Sequence, residues 1–147
     1  MTLITFRILR MKAPLFDEII HLSQNIANAS ANENDDAREL NYKALIKLCA
    51  NNEKSPKDHP LQWEALADFT LDSEQAIDIY QKGLDCAQRL ALSNSIASIY
   101  LSMAMRYQEM EDEEKSKSYS QMSLELVEQV SNEELKADIV DFANSQK

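Results

Sequence analysis

The chain has 147 residues, with 15 Lys and Arg against 25 Asp and Glu, a formal net charge of −10, 44% hydrophobic residues, three Pro and one Gly. This length suits one domain that buries roughly 68–70% of its unfolded surface, and apolar residues interleaved with polar ones argue against a disordered chain. The single Gly argues against hairpin-rich β folds and Gly-rich phosphate loops, and the acidic balance argues against nucleic acid and anionic membranes as partners.

In chain order, Met1–Lys12 carries Arg7, Arg10 and Lys12 and no acidic residue. It lacks the apolar core and small-residue cleavage site of a secretory signal. It reads as a leader, disordered or docked as an arm on the acidic body, ahead of a single helical domain over 13–147. After Pro14, the spacing of Phe16, Ile19, Ile20, Ser23, Ile26 and Ala27 predicts a first helix that fades over Asn28–Asn34. Asp35 or Asp36 is expected to cap a second helix, with Ala37, Leu40, Ala44, Leu45 and Leu48 inward up to Cys49. Ala50–Asp58 reads as a connection. Asp58 or His59 followed by Pro60 is a helix start, because Pro loses no hydrogen bond at the first helical position, and this third helix should run to about Thr70.

From 61 to 147 there is no Pro and only Gly83, and strong helix formers dominate. Asp72 with Gln75 opens a fourth helix with Ala76, Ile77, Tyr80, Leu84 and Ala87 inward. Ser93 or Asn94 caps a fifth, marked by Ile96, Ile99, Tyr100, Met103, Ala104 and Tyr107. Asp112 caps a sixth with Tyr119, Met122, Leu126 and Val130. Ser131 with Glu134 forms a capping box for a seventh, with Leu135, Ile139 and Phe142 on one face. The fold class is all-α.

An internal repeat organises these helices. Trp63-x-x-Leu66-Ala67-x-x-Thr70 lies on Tyr100-x-x-Met103-Ala104-x-x-Tyr107 at a shift of 37 residues, and Ala76-x-x-x-Tyr80-x-x-Gly83 lies on Ser116-x-x-x-Ser120-x-x-Ser123 at a shift of 40. Small residues allow helices to approach closely, and aromatic ones fill the gaps between neighbours. The pattern resembles the tetratricopeptide repeat, W-x-x-L-G-x-x-Y followed by A-x-x-x-F and a later P, over about residues 60–130. Ala67 and Ala104 replace its Gly, Thr70 its first Tyr, Ser116 and Ser120 its Ala and second aromatic, and the closing Pro is absent. The spacing exceeds the family's roughly 34 residues. The resemblance implies a right-handed α-solenoid of about three antiparallel hairpins. Residues 15–50 would form a degenerate first unit, supported by Cys49 and Cys86 also lying 37 apart, and the last helix would be a cap.

Little in the sequence resembles chemistry, and no enzyme is expected. His21 lacks a dependable carboxylate or nucleophile nearby, and His59 is explained by its helix start. Cys49 and Cys86 have no paired ligand spacing and read as buried thiols, so neither metal nor cofactor is expected. The run Glu109–Glu114 reads as a solvated turn favouring the next helix start. The resemblance implies a protein or peptide ligand in a concave groove, lined here by Glu64, Asp68, Leu101 and Met105. The two acids would repel a carboxylate and suit a basic, apolar segment. Leu101 and Met105 could equally pack against a neighbouring helix. The expected function is a cytoplasmic adaptor or scaffold. The alternative is a small acidic chaperone for a secreted or aggregation-prone client, and the open-ended stack leaves a homodimer open.

Overall fold

The computed structural model describes residues 13–147; the leader or arm expected over Met1–Lys12 lies outside the described residues. Among the described residues there are seven α-helices and no strands: α1 (Phe16–Ala31), α2 (Asp35–Asn52), α3 (Pro60–Asp68), α4 (Ser73–Arg89), α5 (Ser93–Glu109), α6 (Glu113–Glu125) and α7 (Glu133–Ser145), with a 3₁₀ turn at Val127–Gln129 before the last.

The helix starts follow side-chain chemistry. Asp72 accepts from the Gln75 amide and Asp112 from that of Lys115, each satisfying an amide that the first turn leaves open. His59 Nδ1 accepts from the Leu61 amide, with Pro60 at the first helical position. Three caps differ from the sequence expectation. α2 is capped by Asn34 rather than by Asp35 or Asp36, and α7 by Asn132 rather than by Ser131. α5 starts at Ser93, directly after Leu92, with no side-chain cap. Ser131 is engaged elsewhere: its amide donates to Asn94 Oδ1, and the Asn94 side chain donates back to the Ser131 hydroxyl.

Three helices end alike. After α1, α4 and α5, the amides of Asn34, Leu92 and Asp112 reach back to the carbonyls of Ala29, Ala87 and Tyr107 at 2.8, 3.0 and 2.9 Å. The residues before them, Glu33, Ala91 and Glu111, take left-handed φ values of 53, 54 and 60°. This is the Schellman arrangement, usually closed by Gly, here built without any.

Consecutive helices pack on one another, α1 on α2, α3 on α4 and α5 on α6, and α4 also packs on α5. Alternate helices form a linked series, α1 to α3 to α5 to α7. The core accordingly divides into three clusters along the chain. The first joins Ile19 and Ile26 of α1, Leu45 and Cys49 of α2, and Leu61, Trp63 and Phe69 at α3. The second joins Ala67, Tyr80, Leu84, Ile99 and Met103. The third joins Ala97 and Leu101 of α5 with Val130, Leu135 and Ile139.

Two faces differ from the pattern read in the sequence. In α2, Leu40 is 71% exposed and Ala44 also faces solvent. The packed side instead presents polar groups: Arg38 donates to the Phe69 carbonyl at 2.7 Å, and the Tyr42 and Thr70 hydroxyls are paired. In α6, the buried positions are Ser116, Ser120 and Ser123, whereas Tyr119 and Met122 are only half-buried. The Ser116 and Ser123 hydroxyls donate to the carbonyls of Ala104 and Ala97, both at 2.8 Å, so α6 approaches the α5 backbone on small side chains.

Candidate functional site

α3 is the most enclosed element, with every residue from Pro60 to Asp68 buried. A nine-residue helix with this environment holds charged groups only where partners compensate them. Its N-terminal approach is organised by Asp58, which accepts from the side chains of Gln62 and Trp63 through Oδ1 and from the Lys54 amide and Arg89 through Oδ2. Burial lowers the His59 pKa, and the neighbouring Asp58 opposes that shift. A neutral imidazole is the form whose Nδ1 can accept from Leu61.

Further along α3, Glu64 and Asp68 stand one turn apart, at 0% and 4% exposure. Across from them, α5 supplies Ser98 and Ser102, also one turn apart. Ser98 donates to Glu64 Oε2 at 2.9 Å. Tyr80 of α4 donates its hydroxyl to Asp68. Burial pushes the Tyr80 phenol well above its ordinary value, and the Asp68 carboxylate adds to the shift. Ser102 stands beside that phenol with its hydroxyl buried, and its proximity opposes the rise. Arg106, one turn beyond Ser102, reaches across to the end of α3. Its Nη2 donates to the carbonyls of Ala67, Asp68 and Thr70 at 3.0, 3.3 and 2.8 Å.

The four residues expected to line a groove therefore divide in two. Glu64 and Asp68 come together at the α3–α5 layer. Leu101, at 0% exposure, belongs to the third cluster with Leu135 and Ile139, and Met105 packs half-buried against the same cluster. For these two, the contact with a neighbouring helix is the arrangement observed. Sequence reasoning missed Arg106, Ser98 and Ser102 as members of this layer. The usable signal was their spacing, since 98, 102 and 106 repeat every four residues and mark a second packed side of α5 beside the apolar one.

The remaining candidates resolve into structure. Cys49 and Cys86 are free buried thiols. Burial, and then the Asp58 charge, raise their pKa values to about 12 and about 11, so neither is a nucleophile near neutral pH. Within Glu109–Glu114, Asp112 caps α6 and Glu109 faces Arg106 at 3.9 Å. Among the described residues, no group of three or more His, Cys, Asp and Glu side chains could hold a metal ion, and no helix is long and apolar enough to cross a membrane. No protein-family model matches the chain, and neither a curated protein nor a solved structure matches it.

Proposed function

We propose that this chain is a tetratricopeptide-like adaptor, a non-catalytic α-solenoid that binds a basic, apolar segment of a partner protein. The observation that carries this reading is the agreement between two hairpins at positions matched by the sequence shifts. In the second hairpin, Gly83 faces the Pro60 carbonyl, with a Cβ placed on Gly83 falling 3.8 Å from that oxygen. In the third, Ser123 donates to the Ala97 carbonyl at 2.8 Å. Pro60 to Ala97 is a shift of 37 and Gly83 to Ser123 a shift of 40, the two values read from the repeat.

The linked series α1, α3, α5 and α7 also fits a stack in which the first helix of each hairpin lies on the inside. The motif aromatics vary within that scheme. Trp63 packs against Gly83 and beneath Lys82, with the ammonium 5.2 Å from its ring centre. Tyr100 packs against Tyr119 with ring centres 6.1 Å apart. The preference for a basic partner rests on the net charge of −10.

The test is binding of labelled peptides to the full chain. Peptides that alternate Arg or Lys with apolar residues should bind and weaken as salt is raised, whereas acidic peptides of equal hydrophobicity should not. Equal binding of both sets, or of neither, would remove the proposal. Affinity purification from the native cell then separates two roles. Several partners sharing a basic segment fit an adaptor, whereas one stoichiometric, unstable client fits a chaperone.

A further inference from the structure

The first turns of α4 present an edge that is both acidic and apolar. Glu74 and Asp78 stand one turn apart and exposed, and Ile77 beside them is half-buried. Opposite this edge lie the end of α5 and the start of α6. Tyr107, Met110, Asp112 and Lys115 close a cleft of about 480 Å³ with it. That volume falls among clefts that take a ligand, and it admits a few side chains of a segment rather than a whole helix.

The aromatic wall of the cleft is held from behind. Tyr107 stacks on Tyr119 of α6 with ring centres 5.3 Å apart and planes at 16°, and Tyr119 in turn meets Tyr100 at 6.1 Å. A cation of the chain already uses this wall, because the Lys115 ammonium lies 5.4 Å from the Tyr107 ring centre. Three carboxylates, of Glu74, Asp78 and Asp112, line the cleft with that single ammonium. Asp112 is engaged as the cap of α6, accepting from the Lys115 amide. Among the described residues, no basic side chain pairs with Glu74 or Asp78. Burial raises the Tyr107 pKa, and Tyr119, Asp112 and Asp78 add to the rise in that order, so both aspartates act on this ring. A guanidinium suits such a place better than an ammonium: it is planar, it stacks on an aromatic face, and its fork reaches a carboxylate at the same time.

We propose that this cleft seats the partner's basic, apolar segment: an arginine takes the place of Lys115 on Tyr107 with its fork on Glu74 or Asp78, and a neighbouring apolar side chain rests on Ile77 and Met110. This rests on the adaptor reading and adds where on the chain the segment lies.

The test uses the full chain and a labelled peptide that alternates Arg with Leu. Glu74→Gln with Asp78→Asn should weaken its binding about tenfold, with the melting temperature kept because both side chains are exposed. Lys115→Gln, which clears the ring and removes the competing charge, should tighten binding about threefold. Equal affinity of the unaltered and the Glu74→Gln, Asp78→Asn chains would overturn the cleft and leave the adaptor reading standing. Weaker binding by the Lys115→Gln chain would overturn the exchange of cations. If the unaltered chain binds no such peptide, the adaptor reading falls and the cleft with it.

A mapping experiment needs no variant of the chain. The same peptide with a benzophenone side chain in place of one Leu should photo-crosslink within residues 74–78 or 107–115. Attachment confined to other helices would overturn the cleft alone.

Discussion

Gly83 is the one position where the chain uses glycine, and it does so inside a helix, where glycine ordinarily costs about 1 kcal/mol against Ala. The compensation is steric. A Cβ there would lie 3.0 Å from Trp63 Cβ and 3.3 Å from Ile99 Cδ1, at the point where α3, α4 and α5 meet. The first contact is to a side-chain root that cannot swing aside. Gly83→Ala should therefore destabilise the fold by about 1–2 kcal/mol in chemical denaturation despite its better helix propensity; an increase in stability would show that the crossing is looser than described.

His59 makes a second residue-scale prediction. Its folded pKa lies below that of the unfolded chain, so the folded state favours neutral imidazole. The stability it contributes is complete above about pH 6.5 and is lost as pH falls through the lowered value. Melting temperature should drop on acidification through that window by the equivalent of about 1 kcal/mol, the worth of a helix cap. His59→Asn, which retains a capping oxygen without titrating, should flatten the profile between pH 7 and 5. A slope equal to that of the unaltered chain would place the titration elsewhere.

At the scale of elements, the three matching helix ends place Glu33, Ala91 and Glu111 in a conformation that costs an L-residue about 1 kcal/mol or more. Ala91→Gly should thus stabilise the protein by about 0.5–1 kcal/mol, raising the melting temperature by a few degrees. A fall on substitution would mean that the turn is held by something other than backbone geometry.

The helices themselves were legible because caps such as Asp72 and Asp112, and Pro60 behind His59, act locally and leave a local trace. What was not legible depends on partners distant in sequence. Leu40 is exposed because Arg38 and Tyr42 take the packed side of α2 to reach Phe69 and Thr70, 31 and 28 residues away. α6 buries serines because its neighbour's carbonyls lie close enough to accept from them. An apolar-periodicity reading assigns burial to the greasiest face and misses a face whose fit is polar or small. The acids of the candidate layer were visible as positions following the repeat residues, but their burial and the Ser98, Ser102 and Arg106 side chains opposite them follow only from how α5 lies against α3.

At the scale of the whole molecule, Arg106 couples units that the local clusters leave separate. From α5 it joins three carbonyls at the end of α3 and donates to the Ser73 hydroxyl at the start of α4. Arg106→Met keeps the bulk of the stem and removes the donors, leaving those buried carbonyls short of a partner. The expected loss is about 2–3 kcal/mol, accompanied by faster hydrogen exchange at the α3–α4 turn. Exchange confined to α5 would show that α3, α4 and α5 are held together by their apolar contacts alone.

The enclosure of α3 has a consequence for how this sequence can drift. A helix with one wet face tolerates most substitutions there, but every residue of Pro60–Asp68 is buried. Each change there must be answered on an adjoining helix at the same time. In a deep mutational scan selected for folded protein, tolerance should collapse to a trough over residues 58–70, all of them buried, and recover beyond it.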